Sequence, residues 1–325
     1  MCLQSTFELT LVLDSNKFTK LFDRVYNTLE YVDEHKYADY TLVPKGITVL
    51  YRDSQYKKKI KLHINPCQLL DSDKPNPEKM VRKLEKRVSI YFNHKYQLDD
   101  FDLTGLALVT DIDVHDRANV VSYMKVLQRI GKVKGFSPSR DYWPGGDIGI
   151  YLDGNSNTIN FMLYDLESFL RERASEASYN AEDKKAMTKK CEGLLRAEVR
   201  LTKPKAIHTY TNESLASAQI ADLADKQKEI FLDTFMRIVP FGNFYKKDKA
   251  EEIIRNKVPD MTIRRRMLRL VELIPDKKSL LLAQKALNYR RIDEVMDEFR
   301  SIEISPITIS KRHDIKKLEN LYKFM

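Results

Sequence analysis

Residues 194–201, LLRAEVRL, alternate without a break: Leu195, Ala197, Val199 and Leu201 fall on one side, Arg196, Glu198 and Arg200 on the other. Successive side chains of a strand point to opposite faces, so this run fits a strand with one face on a core and one polar face. A helix would scatter the same leucines around its circumference. The polar face sets a carboxylate between two guanidinium groups, which suits a solvated face with local ion pairs as well as a charged site. A chain with this strand needs a sheet around it, and the remaining segments must supply the other strands.

They do so mainly in the first two hundred residues. TFELTLVLD, 6–14, alternates as a strand, and Phe18, Leu21, Phe22, Val25 and Leu29 give a helical spacing over Lys17–Tyr31. Strands are expected around Ile47–Arg52 and Lys59–Asn65, the second stopped by Pro66. DSDKPNPEKMVRKLEKRV then reads as a loop opening into a basic helix. Leu103–Val114, LTGLALVTDIDV, is nearly continuous apolar sequence of the kind that fills a sheet centre. Its terminal Asp111 and Asp113 share one face. Ala118–Ile130 reads as a helix and 131–149 as a Gly- and Pro-rich loop. In IYLDGNSNTINFMLYD, two apolar runs, each with a tyrosine, flank the polar turn Asp153–Asn157, a β-hairpin by local rules. A charged helix over roughly Leu166–Lys190 leads back to LLRAEVRL.

Beyond Lys203-Pro-Lys205 the pattern turns helical, with runs at Leu215–Val239, Lys246–Asn256, Thr262–Leu273, Ser279–Ala286 and Ile292–Ile302. Pro240, Pro259 and Pro275 stand as helix stops. Val271, Leu273, Leu280, Leu281, Leu282 and Leu287 are expected in a core. The expected class is α+β: an antiparallel sheet with flanking helices over 1–207, then a smaller all-helical domain over 208–325. No internal repeat is evident in the sequence.

Composition narrows the function. The chain has 325 residues, 42% hydrophobic and 32% charged, long enough for two cores and too apolar for wholesale disorder. No apolar run approaches the roughly 20 residues that span a bilayer, so no membrane partner is expected. The N-terminus reads as a strand rather than a signal peptide. Cys2, Cys67 and Cys191 are too scattered for a disulfide framework or a zinc knuckle, which favours a reducing cytoplasm. Lys plus Arg is 56 against 47 acidic residues, a net charge of +9 that fits a polyanion partner such as nucleic acid.

Four acidic positions lie at strand ends: Asp111, Asp113, Asp165 and Glu198. Carboxylate oxygens suit Mg²⁺ or Mn²⁺, which assist phosphoryl transfer by neutralising charge. His63 in KLHINP has no second histidine two residues away, so a paired histidine ligand set is absent. No Walker loop, Rossmann fingerprint, HExxH or nucleophile elbow occurs. Any one of the 17 tyrosines is ordinarily packing. A phenol beside a polar turn and a cation can nonetheless attack a phosphodiester and hold the strand as an ester.

Here the motifs resemble a family. Tyr151-Leu-Asp-Gly-Asn-Ser-Asn is similar to the Y-I-G-S-x-x-S hairpin of rolling-circle replication initiators and relaxases, and Leu163-Tyr164-Asp165 to their Y-D-K motif. Arg196-Ala-Glu-Val199 resembles their R-x-E-[IV] strand, and Thr104–Asp111 their T-R-x-D-x-x-x-D strand. Gly105, Ala107 and Leu166 depart from the pattern, standing where the family has arginine, aspartate and lysine. KLHINPCQLL, VLQRIGKVKGFSP, LLRAEVRLTKPKAI and ISPITISKRHDIKKLENLYKFM together resemble the phage and plasmid replication proteins of the gene II/X type.

The resemblance implies a Rep/relaxase-like nuclease fold and a nucleophile at Tyr151 that nicks one strand of an origin and stays linked to its 5′ end. It implies Glu198 as a second catalytic residue, and Mg²⁺ or Mn²⁺ held by Asp111, Asp113 and Glu198. DNA, single- and double-stranded, is then the partner, with host helicase and polymerase alongside. On charge placement, Arg196 and Arg200 would hold the DNA backbone. Arg264, Arg265 and Arg266 would hold duplex phosphates from the helical domain. Two alternatives stay open: a non-catalytic origin-binding or copy-number protein, and an RNA-binding or structural protein with solvated basic faces.

Overall fold

Strand β1 (Gln4–Leu13) runs into Asp14, whose carboxylate caps helix α1 (Ser15–Val25) by accepting the Lys17 N–H at 2.9 Å. β2 (Glu30–His35), β3 (Tyr37–Leu42), β4 (Ile47–Asp53) and β5 (Lys58–Ile64) then return to pair β5 with β1. Helices α2 (Pro66–Leu70) and α3 (Pro77–Tyr91) follow, each with proline in its first turn and an asparagine N-cap, Asn65 and Asn76. The chain is seen here as a computed structural model describing residues 2–25, 30–35, 37–42, 46–53, 57–139, 149–156, 158–176 and 188–325.

β6 (Asp102–Asp113) starts the same pattern again. Asp116 caps α4 (Arg117–Leu127), then come β7 (Phe136–Pro138), β8 (Gly149–Gly154), β9 (Ile159–Asp165), α5 (Leu166–Glu176) and β10 (Leu194–Leu201), which pairs with β6. The sheet has ten antiparallel strands in the order β2-β3-β4-β5-β1-β6-β10-β9-β8-β7. That order is two five-stranded units joined at the β1–β6 seam. There Thr6 faces Ala107, Phe7 faces Leu106 and Glu8 faces Gly105, so a pseudo-twofold axis passes between Phe7 and Leu106. In one unit Ile64, Leu62 and Ile60 face Phe7, Leu9 and Leu11; in the other Leu201, Val199 and Ala197 face Leu106, Leu108 and Thr110. This is an internal repeat of topology that the sequence does not display.

The inner face of the sheet is covered by helices. Phe18 of α1 packs edge-on to Tyr51 of β4, and the Tyr51 hydroxyl lies 3.2 Å from that of Tyr91 of α3. After α6 (Pro204–Ile207) and α7 (Ala216–Asp225), α8 (Gln227–Ile238) sets Phe235 against Phe161 of β9. Ile230, Phe231, Phe235 and Ile238 of α8 are all buried. Each is worth about 1.5–3 kcal/mol of apolar burial, which anchors this helix to the sheet. The first core therefore continues past residue 208 and takes in Ile307, Ile309, Leu318 and Leu321 near the C-terminus.

A second core is built from α9 (Lys247–Lys257), α10 (Met261–Lys277), α11 (Leu280–Leu287) and α12 (Ile292–Ser301), centred on Met267, Leu270, Val271, Val295 and Phe299. Residues 208–325 are mainly helical but carry a strand pair, β11 (Phe244–Tyr245) with β12 (Lys317–Leu318). The pair joins the points where the chain leaves the first core and comes back to it. A cleft of about 950 Å³ lies between the two bodies, which touch beside it where Ser279 binds the backbone of Lys132.

Several local expectations need correction. The helix expected over 17–31 ends at Val25, and Tyr31 lies in β2. The run at 215–239 is two helices that meet at Lys226. Pro275 sits inside α10 rather than stopping it; the helix ends at Lys277, and the capping Lys278 turns left-handed at φ 49°. Leu280, Leu281 and Leu282 are half-buried, because three consecutive helical positions cannot all face one core. Parts of the expected 131–149 loop and 166–190 helix, and Asn157 of the hairpin turn, lie outside the described residues. Among the described residues no helix is long and apolar enough to cross a membrane.

Candidate functional site

Alternation along each strand leaves the outer sheet face to the polar set, and the strand registers decide which of those residues meet. Val109, Glu198, Met162 and Tyr151 form one row across β6, β10, β9 and β8. Asp111, Arg196, Tyr164 and Gly149 form the next. Tyr151 and Tyr164 stack with ring centroids 6.1 Å apart and planes within 13°. Phe169 of α5 closes the far side of Tyr164, its centroid 4.7 Å away. A Cβ at Gly149 would lie 2.6 Å from the Tyr151 ring and 2.7 Å from the Tyr164 Cβ. Glycine at this position is what lets the Tyr151 ring fold back along its own strand.

The charges are arranged in pairs. Arg196 grips Asp111 with two hydrogen bonds, Nε to Oδ1 at 2.7 Å and Nη2 to Oδ2 at 2.9 Å. Glu198 is buried, and a buried carboxylate needs partners. The Tyr164 hydroxyl donates to its Oε1 at 2.5 Å, and Arg200 donates to its Oε2 from Nη2 at 2.6 Å and Nε at 3.1 Å. Burial, and next the charge of Glu198, push the Tyr164 phenol far above the ordinary tyrosine value. It stays protonated and acts as a donor.

Tyr151, Tyr164, Glu198, Arg196, Arg200 and Asp111 thus come together. The other expected residues do not. Asp113 shares the face but sits exposed at the strand end, bound to the His115 N–H at 2.8 Å. Asp165 points to the opposite face, where it is buried against Arg117 and Ser168. His63 stands on the far half of the sheet beside Glu8. Arg264, Arg265 and Arg266 belong to α10 in the other body. There Arg264 donates to the Pro259 carbonyl at 3.1 Å and Arg266 stacks over Tyr289 at 4.9 Å.

Asp111 and Glu198 lie diagonally on neighbouring strands, and each is already occupied by an arginine or a tyrosine. Among the described residues no three His, Cys, Asp or Glu side chains stand close enough to hold an ion. As arranged, the donors do not fit a divalent cation. Two further groups escaped the sequence reading: the Glu8–Lys61–His63–Thr104 cluster and the Arg117–Asp165–Glu167–Arg171 network. Glu8 carries no local motif. Arg117 is simply the residue after a helix cap.

No protein-family model matches the chain, and no curated protein matches it. Among solved structures, the di-domain ARO/CYC BexL from the BE-7585A biosynthetic pathway is similar at 9% identity, over 72% of this chain and 95% of that one. Its TM-score of 0.24 is too low to bear on fold or chemistry.

Proposed function

We propose that the chain is a rolling-circle replication initiator that binds an origin and cleaves one strand through Tyr151. The observation that supports this reading is the meeting of the hairpin tyrosines with the Arg-Glu-Arg strand. Up to 49 residues separate them (151 to 200), yet they occupy adjoining rows of one face. In this reading the Tyr151 oxygen attacks the scissile phosphorus and the P–O3′ bond breaks. The Tyr151 proton is lost to water, and the departing 3′ oxygen takes a proton from water. Arg196 and Arg200 turn from their carboxylates to the phosphate oxygens as charge develops there. Strand rejoining runs the same steps in reverse, and the free 3′-OH primes the host polymerase.

The Rep/relaxase-like character of the sheet belongs to the same proposal, as do origin DNA in single- and double-stranded form and a host helicase. Duplex recognition falls to the second body. α9, the three-residue turn Val258–Asp260 and α10 have the layout of a helix-turn-helix, with Arg264, Arg265 and Arg266 at the start of the second helix. One observation favours the alternative of origin binding without cleavage: both arginines of the site already carry carboxylate partners.

The test uses single-stranded oligonucleotides tiling the DNA that flanks the gene, and a supercoiled plasmid carrying it. Each is incubated with Mn²⁺, Mg²⁺ or EDTA and run on a denaturing gel. The expected result is a covalent protein–DNA band with wild type and none with Tyr151→Phe. An equal band from Tyr151→Phe would remove Tyr151 as the nucleophile. Tight binding with no band in any condition would establish the non-cleaving reading.

A further inference from the structure

Where the two bodies join, basic side chains from both are drawn together by backbone contacts. Bridges pair Asn243 with Ile304 and Lys246 with Ile309, and the Ile309 N–H donates to the Tyr245 carbonyl at 2.8 Å. The first body holds the same segment: Arg129, in the short 3-10 turn after α4, donates from Nη1 to the Thr308 carbonyl at 2.8 Å. Lys125 stands one turn earlier, in the last turn of α4. The chain then folds over at Ser310, whose carbonyl accepts the His313 N–H at 3.1 Å. Lys125 is exposed, while Arg129, Lys246 and His313 are half-buried.

A guanidinium taken out of water ordinarily has an acid beside it. Arg129 has the Thr308 carbonyl, and burial lowers its pKa with no carboxylate to offset it. His313 lies in the field of all three cations. Burial lowers its pKa first, Lys125, Arg129 and Lys246 lower it further, and Asp314 opposes them. The other acids of the junction are held by other cations. Asp248 lies 3.9 Å from Lys311, Glu319 is held by Lys317 and Lys323, and Glu251 by Lys247 and Arg255. Among the described residues no carboxylate pairs with Lys125, Arg129 or Lys246.

We infer that this junction is a phosphate-binding site, filled by the backbone of the duplex that the second body grips. A phosphate supplies the charge and the acceptor oxygens that Lys125, Arg129 and Lys246 are without. Lys246 directly precedes α9, the first helix of the helix-turn-helix layout. In such a motif the second helix enters the major groove and the first crosses the DNA backbone. A duplex seated on α10 then has its backbone at the clasp, where α4 of the sheet-bearing body adds Lys125 and Arg129. An anion among these cations also reverses the field at His313. It favours the charged ring, so binding takes up a proton and tightens as pH falls. Identifying the phosphate as DNA rests on the function proposed above; the cations without acid partners do not.

The test follows the anisotropy of a labelled duplex, taken from the DNA that flanks the gene, against salt and pH. Lys125→Ala and Lys246→Ala should each weaken binding and lower the salt slope by about 0.9, one phosphate contact. His313→Gln should leave the affinity unchanged at about pH 8. It should remove the tightening, at most about tenfold per pH unit, that wild type gains below about pH 6.5. Asp314→Asn should tighten the duplex, a gain that a damaged fold cannot produce. Unchanged salt slopes in both lysine variants would overturn the site, as would a wild type with no affinity for duplex. Polyglutamate competing as well as duplex would make it a docking surface for an acidic protein and overturn it too. Inorganic phosphate that shifts the His313 ring resonances where duplex does not would assign the site to a free phosphate, against the proposal. Adduct formation on single strands is scored separately. An adduct with unchanged salt slopes sinks this site alone; changed slopes with no adduct sink the Tyr151 reading alone.

Discussion

The two halves of the sheet share one plan inside and differ outside. On the inner face Ile60, Leu62 and Ile64 occupy the positions of Ala197, Val199 and Leu201, and all six are buried. On the outer face a Lys-Lys-His set stands against an Arg-Glu-Arg set. The inner positions must stay apolar because each helps close one continuous core. The outer positions are free to diverge, since no core depends on them. One architecture can in this way carry an Arg-Glu-Arg set beside two tyrosines on one wing and a Lys-Lys-His set beside Glu8 on the other.

The comparison breaks most visibly if the two wings are not equally essential to the fold. Ile64→Ala and Leu201→Ala, at equivalent buried positions, should each cost about 2–5 kcal/mol in urea denaturation. Both variants should still unfold in one transition. A split transition in either would show two independent units. Next in size is an effect on chemistry. Glu198→Gln removes the charge that holds Tyr164 and Arg200, and should lower adduct formation on the order of 10²-fold. The equivalent change, Lys61→Gln, should leave the rate on a short substrate unchanged. Equal losses would mean that the wings share the chemistry.

Glycines on the outer face sharpen the contrast at a smaller scale. Gly149→Ala forces its Cβ into the Tyr151 ring and to 2.7 Å from the Tyr164 Cβ, so adduct formation should drop about tenfold or more and stability should fall by about 1–3 kcal/mol. Gly105→Ala at the seam meets the Glu8 Cβ at 3.1 Å and should be accepted within about 1 kcal/mol. The smallest effect concerns pH. His63 has its folded pKa below the ordinary value, so its contribution to stability is full above about pH 6.5 and falls away as acid charges it. His63→Gln should flatten the decline in melting temperature just below that pH. An unchanged slope would mean that the histidine is not the titrating group.

Much of this was readable from the sequence where the information is local. The alternation of LLRAEVRL gave β10 and its two faces, and the apolar run at 103–114 gave β6. The hairpin with its two tyrosines stood out by spacing. Partners across strands were not readable, because no local signal says that Arg196 faces Asp111 or that Glu8 faces His63. Those pairs depend on registers set by the whole sheet. The repeat was hidden for the same reason: Phe7 and Leu106, or Leu62 and Val199, match in burial and direction but not in identity. Asp165 misled because one position along a strand changes the face, and an acid at a strand end looks the same on either side.

The strand pair β11–β12 has a consequence for modularity. Phe244 pairs with Leu318, and bridges join Asn243 to Ile304 and Lys246 to Ile309, so the second helical body leaves and rejoins the first at one clasp, while Ser279 makes a further tie to the backbone of Lys132. An insertion whose two ends lie side by side costs its host little more than the closure of one loop. The sheet can therefore exchange that body for another of different size without disturbing its own strands.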